Sequence, residues 1–470
     1  MTVVSRIARD EVRFLWRSRV AVLGIVLLVL LTLVAALTAY QRQHMIGIER
    51  AGYQAQANAA FDAQPNRHPH RMVHYGHFVF RPISPLAAFD PGIESFTGHT
   101  LFLEGHRQNT ANFGDVRQSS MLVRFGQLTP AFVLQMLAPL LLIFLGYAMI
   151  ARERERGTLK VLLAQGVGVR ALILGKLLAI VLVEMLVFLP ALVALLLIGT
   201  TGVGGLVAGY ALWLAIWALV IVLVSASSRR SRDALLALFA IWAVSVILVP
   251  RIAPDVATDA VRLATRFETD IAIQRDLSAM GDSHNPNDPY FAEFKKTVLA
   301  KYGVTRVEDL PVNYKGVLGM EGERMTSALF DRYATHGFDA QERQNGIVGL
   351  FSAISPVVAL RTLSMTLAGT DLISNRRFLE QAEHYRFNLI QSLNRMQAEK
   401  VAYKNDTNPN LENRIDRKNW QNYPSFTFVS EDRQATMKRV WPSLGVLALW
   451  LALLTALIVP VSRQLGRSAT

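Results

Sequence analysis

Residues 152–176 read RERERGTLKVLLAQGVGVRALILGK, a short charged segment between two long apolar runs, 131–150 and 177–198. Each run is long enough to cross a bilayer, at about 20 residues per crossing. A charged segment held between two spans fits two readings. It is a solvated loop whose arginines fix topology, or a helix on which a soluble partner docks. Glu153 and Glu155 alternate with Arg152, Arg154 and Arg156. Gly157-Thr158 then interrupts, and Leu159, Leu162 and Leu163 fall at helical spacing.

Composition agrees with a membrane setting. The chain has 470 residues, is 51% hydrophobic, and has no cysteine. Its apolar residues are blocked rather than dispersed. Without cysteine there is no disulfide framework, thiol catalysis or Cys-based metal site. The net charge of +13 invites a nucleic-acid reading, but its distribution argues against one. The polar segments 41–127 and 251–439 carry 8 basic against 6 acidic residues and 25 against 24. The N-terminal arm, short loops, tail and spans carry 16 basic against 6 acidic, the positive-inside pattern.

The apolar runs 20–40, 131–150, 177–198, 206–225, 234–249 and 444–461 predict six spans with both termini in the cytoplasm. The fifth is short and is expected to end at Pro250. The fold class expected is an all-α integral membrane protein with a large, mainly helical extracytoplasmic domain. In order, the chain divides into a cytoplasmic amphipathic helix (1–19), a span (20–40), a first extracytoplasmic segment (41–127) and a span (128–151). A cytoplasmic helix (152–170), three spans (171–250), the large outer domain (251–439), a span (440–462) and a tail (463–470) follow. Arg6, Arg9, Arg13 and Arg17 recur at steps of three and four, which suits a helix lying on the inner surface. Helices are expected over 255–280 and 374–404, with a turn cluster at 283–289.

The segment 152–163 resembles the coupling helix of type-two ABC transporter permeases, where E-x-x-x-G-T-L precedes a leucine-rich turn. Here that element is Glu153, Gly157, Thr158 and Leu159. Gly166 stands where relatives often carry proline, which implies a less rigid exit from the helix. FVFRPISPLAAFDPG (78–92) and FSAISPVVALRTLSMTLAGTDLISNRRFLEQAEHYR (351–386) are similar to a bacterial permease subfamily whose outer domain has no known function. The resemblance implies a permease subunit in the bacterial inner membrane. It implies that two such subunits, identical or paralogous, work with a dimer of separate cytoplasmic ABC ATPases and no cofactor. It also implies that 152–163 is the docking helix, with Leu159, Leu162 and Leu163 in a groove of the ATPase. Glu153 and Glu155 would then pair with basic groups at that groove's rim.

Chemistry of its own is sparse. There is no G-x-x-x-x-G-K-[ST]; the nearest string, Gly168 to Gly175-Lys176-Leu177, has the wrong spacing. H-E-x-x-H and G-x-S-x-G are absent. Asp371, Glu380 and Glu383 read as helix charges rather than an acid–base pair, against a membrane-bound hydrolase. HPHRMVHYGH (68–77) contains His68, His70, His74 and His77, among seven histidines in 41–127. It sustains the rival reading of a membrane-anchored receptor or metal-binding protein. With no carboxylate in the run, and Pro69 expected to break helical spacing, the run is read as a structural loop without metal. Glu184 is the one acidic residue placed within a span. It is either a functional group or a neutral carboxyl hydrogen-bonded across helices near Pro190. Lys176 is expected to snorkel from the inner end of its span.

Overall fold

The computed structural model describes residues 2–111, 127–283, 285, 287–421 and 423–467. The junction of the first outer segment with the second span, 112–126, lies outside them, as does part of the 283–289 turn cluster. Six helices are long and apolar enough to cross a membrane. They are α2 (Arg19–Asp62), α4 (Pro130–Glu155), α6 (Val169–Ile198), α7 (Val203–Ser227), α8 (Ser231–Ala260) and α14 (Arg433–Arg467). Val20, Leu23, Leu27, Leu197, Leu449 and Leu453 are exposed on their outer faces. Such a belt is unfavourable in water and suits lipid. The protein is a multi-pass membrane protein.

An amphipathic helix, α1 (Val3–Arg17), precedes the first span, and Thr2 caps it by accepting from the Ser5 amide. It lies along α6, where Ile7 and Val4 crowd Gly175; a Cβ there would sit 2.6 Å from the Ile7 Cβ. Helix α2 does not stop at the expected end of the first span. It runs 44 residues, to Asp62, because the sequence offers no proline before Pro65. Helix α8 likewise passes through Pro250. A π-turn at Ala243–Leu248 widens the helix just before it, so the missing N–H and the ring are accommodated. A second π-turn, Val133–Leu137, lies in α4. There Leu134 and Met136 carbonyls accept from the indoles of Trp213 (3.0 Å) and Trp242 (3.1 Å). Buried indole N–H groups need acceptors, and a π-turn exposes carbonyls that an α-helix would use itself.

The outer segments share their cores instead of folding separately. Helix α3 (Pro69–Tyr75) and a two-stranded antiparallel sheet, β1 (His77–Phe80) with β2 (Thr100–Leu103), come from the first. The second supplies α9 (Arg266–Met280), α10 (Pro289–Tyr302), α11 (Tyr314–Leu350), α12 (Pro356–Ala368) and α13 (Leu372–Lys400). The stretch expected as one helix over 255–280 is broken at 261–265, where Thr265 and Glu268 form a capping box for α9. Val79, Leu101 and Leu103 pack on Phe378 and Ala382 of α13. Phe61, at the far end of α2, joins Met72, Val73, Leu389 and Trp420.

Helix α12 returns to the membrane bundle. Val357, Leu360, Leu363 and Leu367 are buried in the same core as Leu142, Val187 and Trp213. At 13 residues it is too short to span. The two outer stretches singled out in the sequence meet at this junction. Arg81 donates to the Gly369 carbonyl (2.9 Å), and Thr370 to the Asp90 carbonyl (3.0 Å).

Candidate functional site

The charged segment is built as two short helical pieces. The end of α4, Ala151–Glu155, follows a turn in which the Ser225 hydroxyl accepts from the amides of Ile150 (3.0 Å) and Ala151 (3.2 Å). Gly157 then takes a left-handed conformation, φ 76°. Helix α5 (Thr158–Ala164) starts from it. A side chain at Gly157 would meet nothing, so backbone conformation alone demands glycine there. The exit is not loose. Gly166 (φ 85°) donates to Leu163 O at 3.0 Å and Val167 to Leu162 O at 3.1 Å, a Schellman closure.

Four of the five alternating charges, Arg152 to Glu155, have a partner on or beside a different helix. Arg152 stacks over the Phe14 ring at 3.9 Å and contacts Glu11 of α1 at 3.4 Å. Glu153 accepts from Lys176 of α6 at 3.3 Å and from the Thr158 hydroxyl. Arg154 donates to Ser228 O, beyond the C-terminus of α7, at 2.8 Å. Glu155 accepts from the Ser231 amide (3.2 Å) and hydroxyl (2.7 Å) at the N-terminus of α8. A cation at a helix C-terminus and an anion at an N-terminus both complement the macrodipole. Lys176 does not snorkel. It is buried, 2.5 Å from Glu11, and binds α1 to α6. Glu153 and Glu155, expected at the rim of an ATPase groove, are both engaged within the chain.

The leucines divide. Leu159 is 2% exposed and packs on Ile150, Leu172, Ile173, Val222 and Leu465, so it anchors α5 to its own bundle. Leu162 and Leu163 are half-buried against the same cluster. Arg156, Lys160, Val161, Ala164 and Gln165 form the exposed face. An alternation of hydrophobic and charged residues at helical spacing cannot reveal which face is already covered.

Glu184 is 3% exposed, within the bundle, and its Oε1 has no hydrogen-bond partner among the described residues. Of the two alternatives, a cross-helix hydrogen bond near Pro190 is not made by that oxygen among the described residues. Asp371 caps α13 through the Ser374 amide (3.0 Å) and pairs with Arg439. Glu380 and Glu383 pair with Arg376 and Arg386, both at 2.7 Å. All three are structural charges.

The histidine run splits three ways. Pro69 is the first residue of α3 instead of a breaker, since proline suits the N1 position. His68 caps α3 and contacts Asp406 at 2.9 Å. Burial opposes ionisation of Asp406, but hydrogen bonds from His68, Gln397 and Asn313 hold its carboxyl well below the usual range. His77 is buried 3.1 Å from Asn58, and burial pushes its imidazole down to about 4. His70 and His74 face each other one helical turn apart and meet His106, a residue outside the run.

Comparison with known families fits this architecture. Residues 105–267 match the model of the ABC-2 family transporter proteins. Residues 266–429 match a domain of unknown function (DUF3526). Over residues 105–267 the chain carries an ABC-2-type membrane permease domain of the ABC transporter class. The segment matched to the domain of unknown function is helical and lies between the fifth candidate span and the last. No curated protein matches it.

Proposed function

We propose that this chain is the permease subunit of a type-two ABC exporter in the bacterial inner membrane, with both termini in the cytoplasm. Two such subunits, identical or paralogous, work with a dimer of separate cytoplasmic ATPases. The observation that carries this reading is the arrangement at 152–164. The end of α4, joined through a left-handed glycine to the short helix α5, is tied by successive charges to α1, α6, α7 and α8. A push on the exposed face of α5 passes through Gly157 to the end of α4, and so to four helices at once. ATP-driven closure of the ATPases against Lys160, Val161 and Ala164 would tilt the spans, the energy coming from unequal affinity for two permease conformations.

Affinity purification of the whole chain in mild detergent tests the proposal. An ABC ATPase should copurify with the wild type and be lost from Val161→Asp, which disturbs the exposed face alone. In the cysteine-free chain, a cysteine at Asn345 should react with an impermeant reagent in sealed cells, and one at Lys160 should not. Labelling of position 160 from outside, or purification with no ATPase, overturns the reading.

A further inference from the structure

His70 and His74 lie on adjacent turns of α3, with their Nε2 atoms 3.2 Å apart. His106 comes from the loop after β2, and its ring centroid lies 6.0 Å and 5.4 Å from theirs. One ligand nitrogen from each of the three lies within 4.8 Å of the others. Two imidazole nitrogens so close either share a proton or straddle an ion. Tetrahedral ligands about 2.0–2.1 Å from zinc stand roughly 3.3 Å from one another, so the first pair is already spaced for coordination. The third ring completes the set by swinging inward about 1.5 Å, a side-chain rotation.

The backbone at His106 supports this assignment independently. It is the one non-glycine residue with positive φ (64°) among those described. Glu323 of α11 holds it there, accepting from its amide at 2.9 Å. The same carboxylate oxygen lies 3.6 Å from His106 Nδ1, beside the ring though longer than a hydrogen bond. Glu323 is fully buried and is itself fixed by Arg386 at 2.5 Å and Ser327 at 3.1 Å. A carboxylate behind a histidine, orienting the ring and raising its basicity, is the usual outer shell of a metal-ligating imidazole. Strain at a polar residue, held in place by a buried ion pair, is where a functional constraint is expected.

We propose that His70, His74 and His106 bind one first-row transition-metal ion of the zinc or copper type, with a solvent molecule as fourth ligand. Three neutral nitrogens and no carboxylate in the first shell select against calcium and magnesium. His74 is exposed and the other two half-buried, so the ion enters from solvent. The ion clamps the first outer segment onto α11 of the second, through His106 and Glu323. This assignment reverses the expectation drawn from the run alone, and it needs neither His68 nor His77.

The test uses the full chain in detergent, stripped with chelator and dialysed against buffered Zn²⁺ alone. Bound zinc is measured by mass spectrometry, and Co²⁺ substitution by its visible absorption. The wild type should bind one equivalent and show the intense bands of four-coordinate cobalt. His74→Ala and His106→Ala should each weaken zinc binding at least about 100-fold, no less than outer-shell changes cost. His44→Ala, on α2 far along the chain, should bind as wild type. If His106→Ala fails to fold, the exposed His74 decides the matter. No stoichiometric zinc at about 10 μM free ion, a weak affinity for a three-histidine site, overturns the proposal. So does equal binding by His74→Ala, or equal loss in His44→Ala.

Discussion

Replacing Lys176 with methionine keeps most of the stem and removes the charge. In the native protein its ammonium lies 2.5 Å from Glu11 and 3.3 Å from Glu153, and the side chain is 5% exposed. Arg152 makes a longer contact with Glu11, at 3.4 Å, so two carboxylates and two cations balance. Without the ammonium, Glu11 and Glu153 share one guanidinium in a buried site. Breaking a buried pair by removing one partner costs about 3–5 kcal/mol. The cost falls on the docking of α1, because Glu11 belongs to α1 while Glu153, Arg152 and Lys176 belong to the bundle. It corresponds to roughly two to three and a half decades in the docking equilibrium. Ala8 is 3% exposed beneath α1, and the chain has no cysteine, so Ala8→Cys reports undocking. When redocking outpaces reaction, the maleimide rate follows the open population. Lys176→Met should raise that rate about 100-fold or more. Adding Glu11→Gln should recover much of the loss, since the orphaned carboxylate is then removed as well. Equal rates in all three proteins, or a double variant no better than the single, would refute the argument.

Leu159→Ala should loosen α5 itself, by about 2–5 kcal/mol for a buried leucine, seen as faster proteolysis near 158–164 with or without an ATPase present. Gly157→Ala should cost about 1–2 kcal/mol from backbone strain alone, leave insertion intact, and lower ATP-driven activity in reconstituted vesicles. Glu184→Gln and Glu184→Leu should keep or raise the thermal unfolding temperature, because each removes an unsatisfied buried carboxylate. Both should reduce ATP-driven activity, and full activity in both would show that Glu184 has no mechanistic part. Burial pushes His77 down to about 4, and burial with Arg50 beside it brings His99 to about 4. The unfolded chain, near 6.5, takes protons first, so stability is full above about pH 6.5 and falls as pH drops towards about 4. The His77 share is about 3 kcal/mol at most. His77→Leu should therefore flatten the dependence of unfolding temperature on pH between about 6.5 and 4.5.

The six crossings were legible because lipid demands uninterrupted apolar runs, and the polar runs between them carry the charge asymmetry. What sequence patterns hide is partnership at long range. The RERER stretch resembles a solvated rim, yet Glu155 caps Ser231 and Arg152 meets Glu11, on helices distant in the chain. Gly157 was legible as a break because only glycine suits a left-handed residue between two helical pieces. Pro250 misled because a π-turn upstream, which no local signal announces, removes the conflict that ends a helix. Helix α12 was read with the outer domain because a 13-residue apolar run is too short to signal membrane burial. His106 was missed as a neighbour of His70 and His74 because a sheet hairpin, not sequence proximity, brings it there.

Helix α2 has a mechanical consequence. It is one unbroken rod of 44 residues, about 66 Å at 1.5 Å per residue. Its base adjoins α1 at the cytoplasm-proximal end proposed above, and its tip is cemented into the cluster around Phe61 and Trp420. Its last 22 residues, 41–62, project about 33 Å past the apolar stretch. A rotation of about 10° where the rod leaves the bundle therefore sweeps the tip through about 6 Å. A tilt of α2 at the bundle is thus amplified by its length, and reaches the cluster around Phe61 as a displacement about the length of a helical turn.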